Sequence, residues 1–195
     1  GLLPRLDRIS SVSGGSIVAA YLALKWPRLA FGAHGVAKEF VTEVASPIRR
    51  LASSTIDVPA VFLGWGGLST TFWYRVLLFR DATLQDLPDA PGFIINASNV
   101  QSGALWRFSK PYVRDYRVGE IRDPVTPLSV AVAASSAFPP ILSPVILRLR
   151  PERFTPGTGD DLQRPPYTSR VVLTDGGVYD NLGLETVWKR YQTVL

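Results

Sequence analysis

The first candidate for chemistry is a serine in a short, glycine-rich turn. Ser13 follows the β-branched run of residues 8–12 and precedes Gly14, Gly15 and a stretch rich in alanine and leucine. This order predicts a strand, a sharp turn and a helix, and such a turn lifts a serine hydroxyl clear of a sheet, where it can attack a carbonyl carbon. The glycine N–H groups would lie at the helix start, where unpaired donors stabilise an oxyanion. Ser11 stands where this turn usually has glycine. The alternatives are a helix N-cap and a phosphate-binding loop.

A serine nucleophile needs a base, and the single histidine does not suit that role. His34 soon follows the first predicted helix, whereas α/β-hydrolase triads run serine, acid, histidine along the chain, so we expect His34 on the surface or at a helix start. Asp175 is the better candidate. It ends an apolar run, and in a parallel sheet it would reach the same edge as Ser13. Gly176 and Gly177 would let backbone approach its carboxylate. The alternative is an ordinary Asp-Gly turn.

The elements that must position these two residues alternate between strands and helices. Strands are predicted over residues 8–12, 92–97, 105–108, 145–149 and 170–174, the second and third as a hairpin. Helices are predicted over residues 16–25, 33–45, 128–134 and 184–191. Alternating strands and helices are typical of an α/β fold, so we predict a largely parallel central sheet flanked by helices.

Composition limits the remaining function classes. With 195 residues, 46% of them hydrophobic, the chain can bury a sizeable core, and we predict a single domain over residues 1–195. The absence of cysteine excludes thiolate metal sites and thiol nucleophiles. The net charge of +5 is scattered along the chain, which does not favour nucleic acid as a partner.

One segment could contact a membrane. Residues 58–74 carry no charge and are rich in aromatic side chains, but proline and glycine make them unsuitable as a spanning helix. Two interpretations remain open: peripheral membrane contact through residues 58–79, and a buried loop with two short helical turns. Because no secretory signal is visible, we expect a cytoplasmic or peripheral membrane location rather than secretion.

Together these motifs resemble the patatin-like phospholipase (patatin-like acyl hydrolase) family. Residues 11–16, Ser-Val-Ser-Gly-Gly-Ser, resemble its GXSXG-like nucleophile motif. Residues 175–181, Asp-Gly-Gly-Val-Tyr-Asp-Asn, resemble its DGG motif with the downstream asparagine. Residues 133–140 are similar to the small-residue segment that leads to a proline in the family, and residues 93–97 are similar to the strand before it.

The resemblance implies a Ser-Asp dyad on a patatin-like α/β core that cleaves acyl ester bonds of lipids through an acyl-enzyme. Ser13 would be the nucleophile, Asp175 the base that accepts its proton, and the Gly14 N–H part of the oxyanion site. Ser11, Gly15, Gly176 and Gly177 complete the two motifs. No metal and no organic cofactor is implied, and the expected partner is a lipid or another acyl ester.

The resemblance also implies a glycine-rich oxyanion loop before the nucleophile strand, and residues 1–8 contain none. The loop is therefore either outside this piece or absent from the protein. We expect the chain to be truncated at its N-terminus, and truncation at its C-terminus is an open alternative. Two other functions stay open. One is an acyltransferase, in which an alcohol instead of water resolves the acyl-enzyme. The other is a non-catalytic lipid-binding or regulatory module.

Overall fold

One seven-stranded sheet is the centre of the part of the chain that the computed structural model describes, residues 1–53, 71–140, 142, 144–188 and 190–195. Its strands are β1 (Arg8–Val12), β2 (Gly92–Asn99), β3 (Ala104–Phe108), β4 (Tyr112–Asp115), β5 (Gly119–Arg122), β6 (Val145–Arg148) and β7 (Arg170–Asp175). The α-helices are α1 (Gly14–Lys25), α2 (Ser46–Ser53), α3 (Leu128–Ser135) and α4 (Gly177–Asp180). Shorter 3₁₀ and π-helical turns span Leu3–Arg5, Trp26–Arg28, Val41–Ala45, Arg75–Phe79, Leu84–Asp86 and Pro151–Arg153.

The strand directions overturn the predicted largely parallel sheet. The strands lie in the order β5-β4-β3-β2-β7-β6, and β1 also pairs with β2. In the described residues only the β1–β2 pair is parallel, and the other five pairings are antiparallel. Connection length explains three of the five antiparallel pairings, because residues 100–103, 109–111 and 116–118 are short turns, which can join only antiparallel neighbours. The parallel pair uses the long connection of residues 13–91, which has room for a crossover.

The core lies where α1 and α3 pack against each other and against β2. Helix α3 can approach closely because its buried face is built of small side chains, and Ala131, Ala133 and Ala134 are each at most 1% exposed. On β3, Trp106 and Phe108 are fully buried and pack edge to face. The two helices that contact the ends of β1 and β7 are therefore held rigidly on the sheet.

The predicted local elements are confirmed except at two helices. The β2–β3 hairpin, α1 and α3 lie where the sequence predicts them. The predicted helix over residues 33–45 is wrong in its first half, because Gly35 has φ +65° and an isolated bridge joins Phe31 to Ala37. The predicted helix over residues 184–191 is also wrong: its described residues form mainly turns. Apolar spacing alone does not distinguish such turns from a helix.

The segment proposed for membrane contact, residues 58–79, lies mostly outside the described residues. Its described end includes the π-helical turn Arg75–Phe79, in which Phe79 is buried in the core and Val76 is exposed. Phe72, just before that turn, is also exposed. Within the described ranges, no helix has both the length and the apolar character needed to span a bilayer.

Candidate active site

Ser13 occupies the single residue between β1 and α1, and its backbone conformation is unusual. Its φ of 53° and ψ of −132° lie in a region that side-chain-bearing residues rarely adopt, at a cost of about 1–3 kcal/mol. Its side chain makes no capping bond to α1, which argues against the N-cap alternative. No hydrogen bond joins the Ser13 hydroxyl to another described residue. The hydroxyl is therefore held at a strained corner without a structural partner of its own.

The helix start beside Ser13 is open. Gly14 and Gly15 are exposed, and a Cβ built on either would meet no described atom within 4 Å. The chain does not need these glycines to make room for its own atoms. Their lack of side chains leaves free space in front of the first N–H groups of α1, which have no partner within a helix. A carbonyl oxygen of a bound molecule can approach those donors there.

Ser11, the departure from the usual glycine, is accommodated by hydrogen bonds. Its side chain is buried, and its hydroxyl donates to the Ile94 carbonyl oxygen at 3.1 Å. The Ser16 hydroxyl lies 3.1 Å from that of Ser11. Because the buried hydroxyl is satisfied, serine at this position does not distort the turn.

Asp175 is the last residue of β7 and is 2% exposed. One carboxylate oxygen, Oδ1, accepts a hydrogen bond from the Gly177 N–H at 2.7 Å. The other, Oδ2, is buried and has no hydrogen-bond partner among the described residues. A buried carboxylate oxygen without a partner is costly, so Oδ2 is available to accept a hydrogen bond from a donor that enters the site.

The two glycines after Asp175 are required by close contacts. A Cβ on Gly176 would lie 2.3 Å from the Asn96 carbonyl oxygen, and one on Gly177 would lie 3.0 Å from Asp175 Oδ1. The first distance is shorter than real Cβ contacts and the second is tighter than most of them, so the predicted crowding of backbone beside Asp175 is present at Gly176. Glycine here lets the turn pack onto β2 and lets its N–H reach the carboxylate.

The ends of β1 and β7 meet at β2. Since β3 occupies one edge of β2, β1 and β7 share the other. Val12 pairs with Asn96 and Asp175 pairs with Ala97, which are consecutive residues of β2, about 3.3 Å apart along the strand. β1 runs parallel to β2 and β7 antiparallel, so their carboxyl ends point at each other.

This arrangement brings the Ser13 turn and the Asp175 turn together at the same edge of β2, although the strand directions differ from the prediction. The sequence argument relied on the common carboxyl edge of a parallel sheet, and the strands instead approach head to head. A third residue links the two turns: the Ser13 N–H donates to Ser135 Oγ and the Gly176 N–H donates to the Ser135 carbonyl oxygen, each at 3.1 Å. Sequence reasoning gave Ser135 no role, although it lies in the small-residue run before Pro139.

A charged cluster anchors the segment after Asp175. Glu185 Oε1 accepts a hydrogen bond from Arg107 Nη2 on β3 at 2.6 Å. Hydrogen bonding to Glu185, with partial burial, raises the pKa of the Tyr179 phenol to about 12, so it stays protonated at neutral pH. The Tyr179 N–H also donates to Ser98 Oγ, which in turn donates to the Asp175 carbonyl oxygen. These contacts tie α4 to the sheet beside Asp175.

His34 is exposed in a turn near the amino terminus, where its carbonyl oxygen accepts from the Gly1 amino group. The prediction that it is a surface residue is confirmed. In the part of the chain described, no group of three or more His, Cys, Asp or Glu side chains could hold a metal ion.

Comparison with known proteins identifies a family. A search of curated proteins finds no match. The family model described as patatin-like phospholipase matches residues 1–188, a range that includes both glycine-rich turns. The resemblance seen in the sequence motifs is thereby confirmed, and the chain belongs to the patatin-like phospholipase family.

Proposed function

We propose that the protein is a serine acyl hydrolase that cleaves acyl ester bonds of lipids, with Ser13 as nucleophile and Asp175 as base. Membership of the patatin-like family supports lipid acyl hydrolysis as the general activity. The observation that carries the residue assignment is the meeting of the two strand ends, which leaves the strained Ser13 beside a buried carboxylate whose Oδ2 has no partner among the described residues.

In the first half-reaction, Ser13 Oγ attacks the ester carbonyl carbon while its proton passes to Asp175 Oδ2. The negative charge that develops on the carbonyl oxygen is stabilised by the Gly14 N–H at the start of α1. The carbon–oxygen bond to the leaving alcohol then breaks, and the alcohol takes the proton from Asp175. The Ser13 ester that remains is the acyl-enzyme.

In the second half-reaction, Asp175 removes a proton from a water molecule, which attacks the acyl carbon. The carboxylic acid leaves, and Ser13 recovers its proton from Asp175. Gly177 supports both steps, since its N–H binds Oδ1 and leaves Oδ2, which has no partner among the described residues, as the oxygen that accepts the proton. An alcohol in place of water would give an ester, so products formed with a competing alcohol would distinguish hydrolase from transferase.

A fluorophosphonate tests the nucleophile assignment directly. Attack by Ser13 Oγ forms an oxygen–phosphorus bond and expels fluoride, so mass spectrometry of the digested protein should find the adduct on the peptide that contains Ser13. Heat-unfolded protein is the control, because only the folded arrangement activates the hydroxyl. An adduct on a different serine of the folded protein would contradict the assignment.

Exposed apolar side chains on the segments around the site favour a lipid acyl chain as the group recognised. Val18 on α1, Phe138 after α3 and Val178 on α4 are 44%, 56% and 57% exposed. Phe138 directly follows Ala137, whose carbonyl oxygen accepts the Asp175 N–H at 3.0 Å, so the backbone that carries this ring is bonded next to the proposed base. Apolar contact with such side chains stabilises a bound acyl chain by the hydrophobic effect.

Replacing Phe138 with serine should therefore discriminate between substrates. We expect KM for long-chain esters to rise about tenfold, since roughly 1–2 kcal/mol of apolar contact is lost. Acetyl esters should be hydrolysed as by the wild type, because they do not reach the ring. Val125→Ser, which changes an exposed valine between β5 and α3, is the matched control. Equal effects on short and long acyl chains would contradict the proposed contact.

A further inference from the structure

We propose that Ser135 is a positioning residue that holds the Ser13 turn and the Asp175–Gly177 turn in register. The inference rests on the proposed function of Ser13 and Asp175 and adds a third residue on which the reactivity of Ser13 depends. Ser135 is the last residue of α3 and is fully buried. It touches no substrate in this proposal and acts through the two residues that do.

The Ser135 hydroxyl connects the nucleophile turn to the sheet. Its Oγ donates to the Asn96 carbonyl oxygen at 2.6 Å and accepts the Ser13 N–H at 3.1 Å. The Ser16 hydroxyl lies 2.8 Å from the same oxygen. Ser16 donates its single proton to Ser11, whereas the Ser135 hydroxyl uses its one proton on the Asn96 carbonyl oxygen and one of its two lone pairs on the Ser13 N–H. Its orientation is therefore determined by its neighbours.

The main chain of the same residue holds the other turn. The Ser135 carbonyl oxygen accepts the Gly176 N–H at 3.1 Å. The Asn96 carbonyl oxygen, which accepts the hydrogen bond from Ser135 Oγ, is also the atom against which Gly176 packs. One residue of α3 thus contacts the backbone of the proposed nucleophile and the backbone next to the proposed base. A shift of α3 would therefore move the Ser13 turn and the Asp175–Gly177 turn together.

The contact to the Ser13 N–H matters because Ser13 is strained. A residue with φ 53° and ψ −132° keeps that conformation only when its surroundings hold it. The Ser13 side chain makes no capping bond, so the hydrogen bond from its backbone N–H to Ser135 Oγ is a principal restraint on the corner. Without that acceptor, the turn can relax. A displacement of about 1 Å at a reacting atom can lower a rate about 10²-fold.

The test compares Ser135→Ala with Ser136→Ala. Ser136 is the adjacent buried serine, but its hydroxyl donates to Val132 within α3 and not to either turn. We expect Ser135→Ala to lower kcat and the fluorophosphonate labelling rate of Ser13 about 10–10²-fold, with KM unchanged. Ser136→Ala should match the wild type in both. Both variants are measured well below their melting temperatures, since a merely structural role would lower stability and leave kcat of the folded enzyme intact.

Hydrogen exchange gives a readout that does not need catalysis. The Ser13 N–H loses its acceptor in Ser135→Ala, so it should exchange about tenfold faster there than in Ser136→Ala. If the wild-type protein neither turns over esters nor reacts with fluorophosphonate, the proposed function fails, and the exchange result still decides the inference about Ser135. Unchanged exchange, or unchanged kcat and labelling rate in an active enzyme, would overturn it.

A second substitution covers the case in which Ser135→Ala does not fold. Ser135→Cys places a sulfur atom near the position of Oγ, but the thiol is a weaker hydrogen-bonding group. The labelling and exchange rates at Ser13 should therefore lie between those of the wild type and those expected when the hydrogen bond is lost completely. Wild-type values in Ser135→Cys would overturn the inference. Failure of both variants to fold, with Ser136→Ala folded, would also count against it, because the role of Ser135 would then be in folding.

Discussion

Replacing Ser13 with alanine is expected to lower kcat for ester hydrolysis at least about 10⁴-fold, because the acyl-enzyme can no longer form. The protein should stay folded, since the Ser13 hydroxyl bonds to no other described residue and its N–H contact to Ser135 remains. Steady-state hydrolysis of a chromogenic ester measures the effect. Far-ultraviolet circular dichroism and thermal unfolding verify the fold. Full activity in this variant would refute Ser13 as nucleophile.

Ser13→Gly is a matched comparison, because its activity and its stability should differ from those of the wild type for separate reasons. It should be as inactive as Ser13→Ala, but more stable than that variant by about 1 kcal/mol, because glycine adopts φ 53° and ψ −132° without the strain of a side chain. For a chain of this length that corresponds to a melting temperature about 2–4 °C higher. Equal or lower stability would mean that the Ser13 backbone is not strained in solution.

Asp175→Asn is expected to lower kcat about 10⁴-fold, with little change in the fold. The amide keeps an oxygen that can accept the Gly177 N–H, as Oδ1 does now, but its nitrogen cannot take a proton from Ser13. The fluorophosphonate labelling rate should fall as well, because the same proton must leave Ser13 in that reaction. Measuring both separates loss of the base from loss of ester binding.

The control for this variant is Asp180→Asn in the same motif. Asp180 Oδ2 already accepts the Glu185 N–H at 2.7 Å, so its carboxylate is engaged in structure. Asp180→Asn should retain most of the wild-type kcat, with at most a modest loss of stability. If Asp180→Asn abolished activity and Asp175→Asn did not, the base would have to be reassigned.

The site could be predicted from sequence where the signal is local. The turn at Ser13 follows from a β-branched run, two glycines and a helix-forming stretch, all within residues 8–25. The turn at Asp175 likewise follows from a strand that ends in Asp-Gly-Gly. Ser135 could not be found this way. A buried serine at a helix end has no distinctive local pattern, and its importance comes from contacts with residues 13, 96 and 176, far away along the chain.

Strand direction separates what the sequence alone determined from what only the tertiary structure decided. Apolar runs and turn residues by themselves determined five of the seven strands, α1, α3 and the β2–β3 hairpin, because each depends on neighbours in the chain, whereas β4 and β5 were not predicted. Only the tertiary structure decided that β7 runs antiparallel to β2 and meets β1 head to head, since that register depends on packing between distant segments. The same packing leaves Asp175 Oδ2 buried beside the Ser13 turn and without a partner in the described part of the chain, which no local pattern could specify.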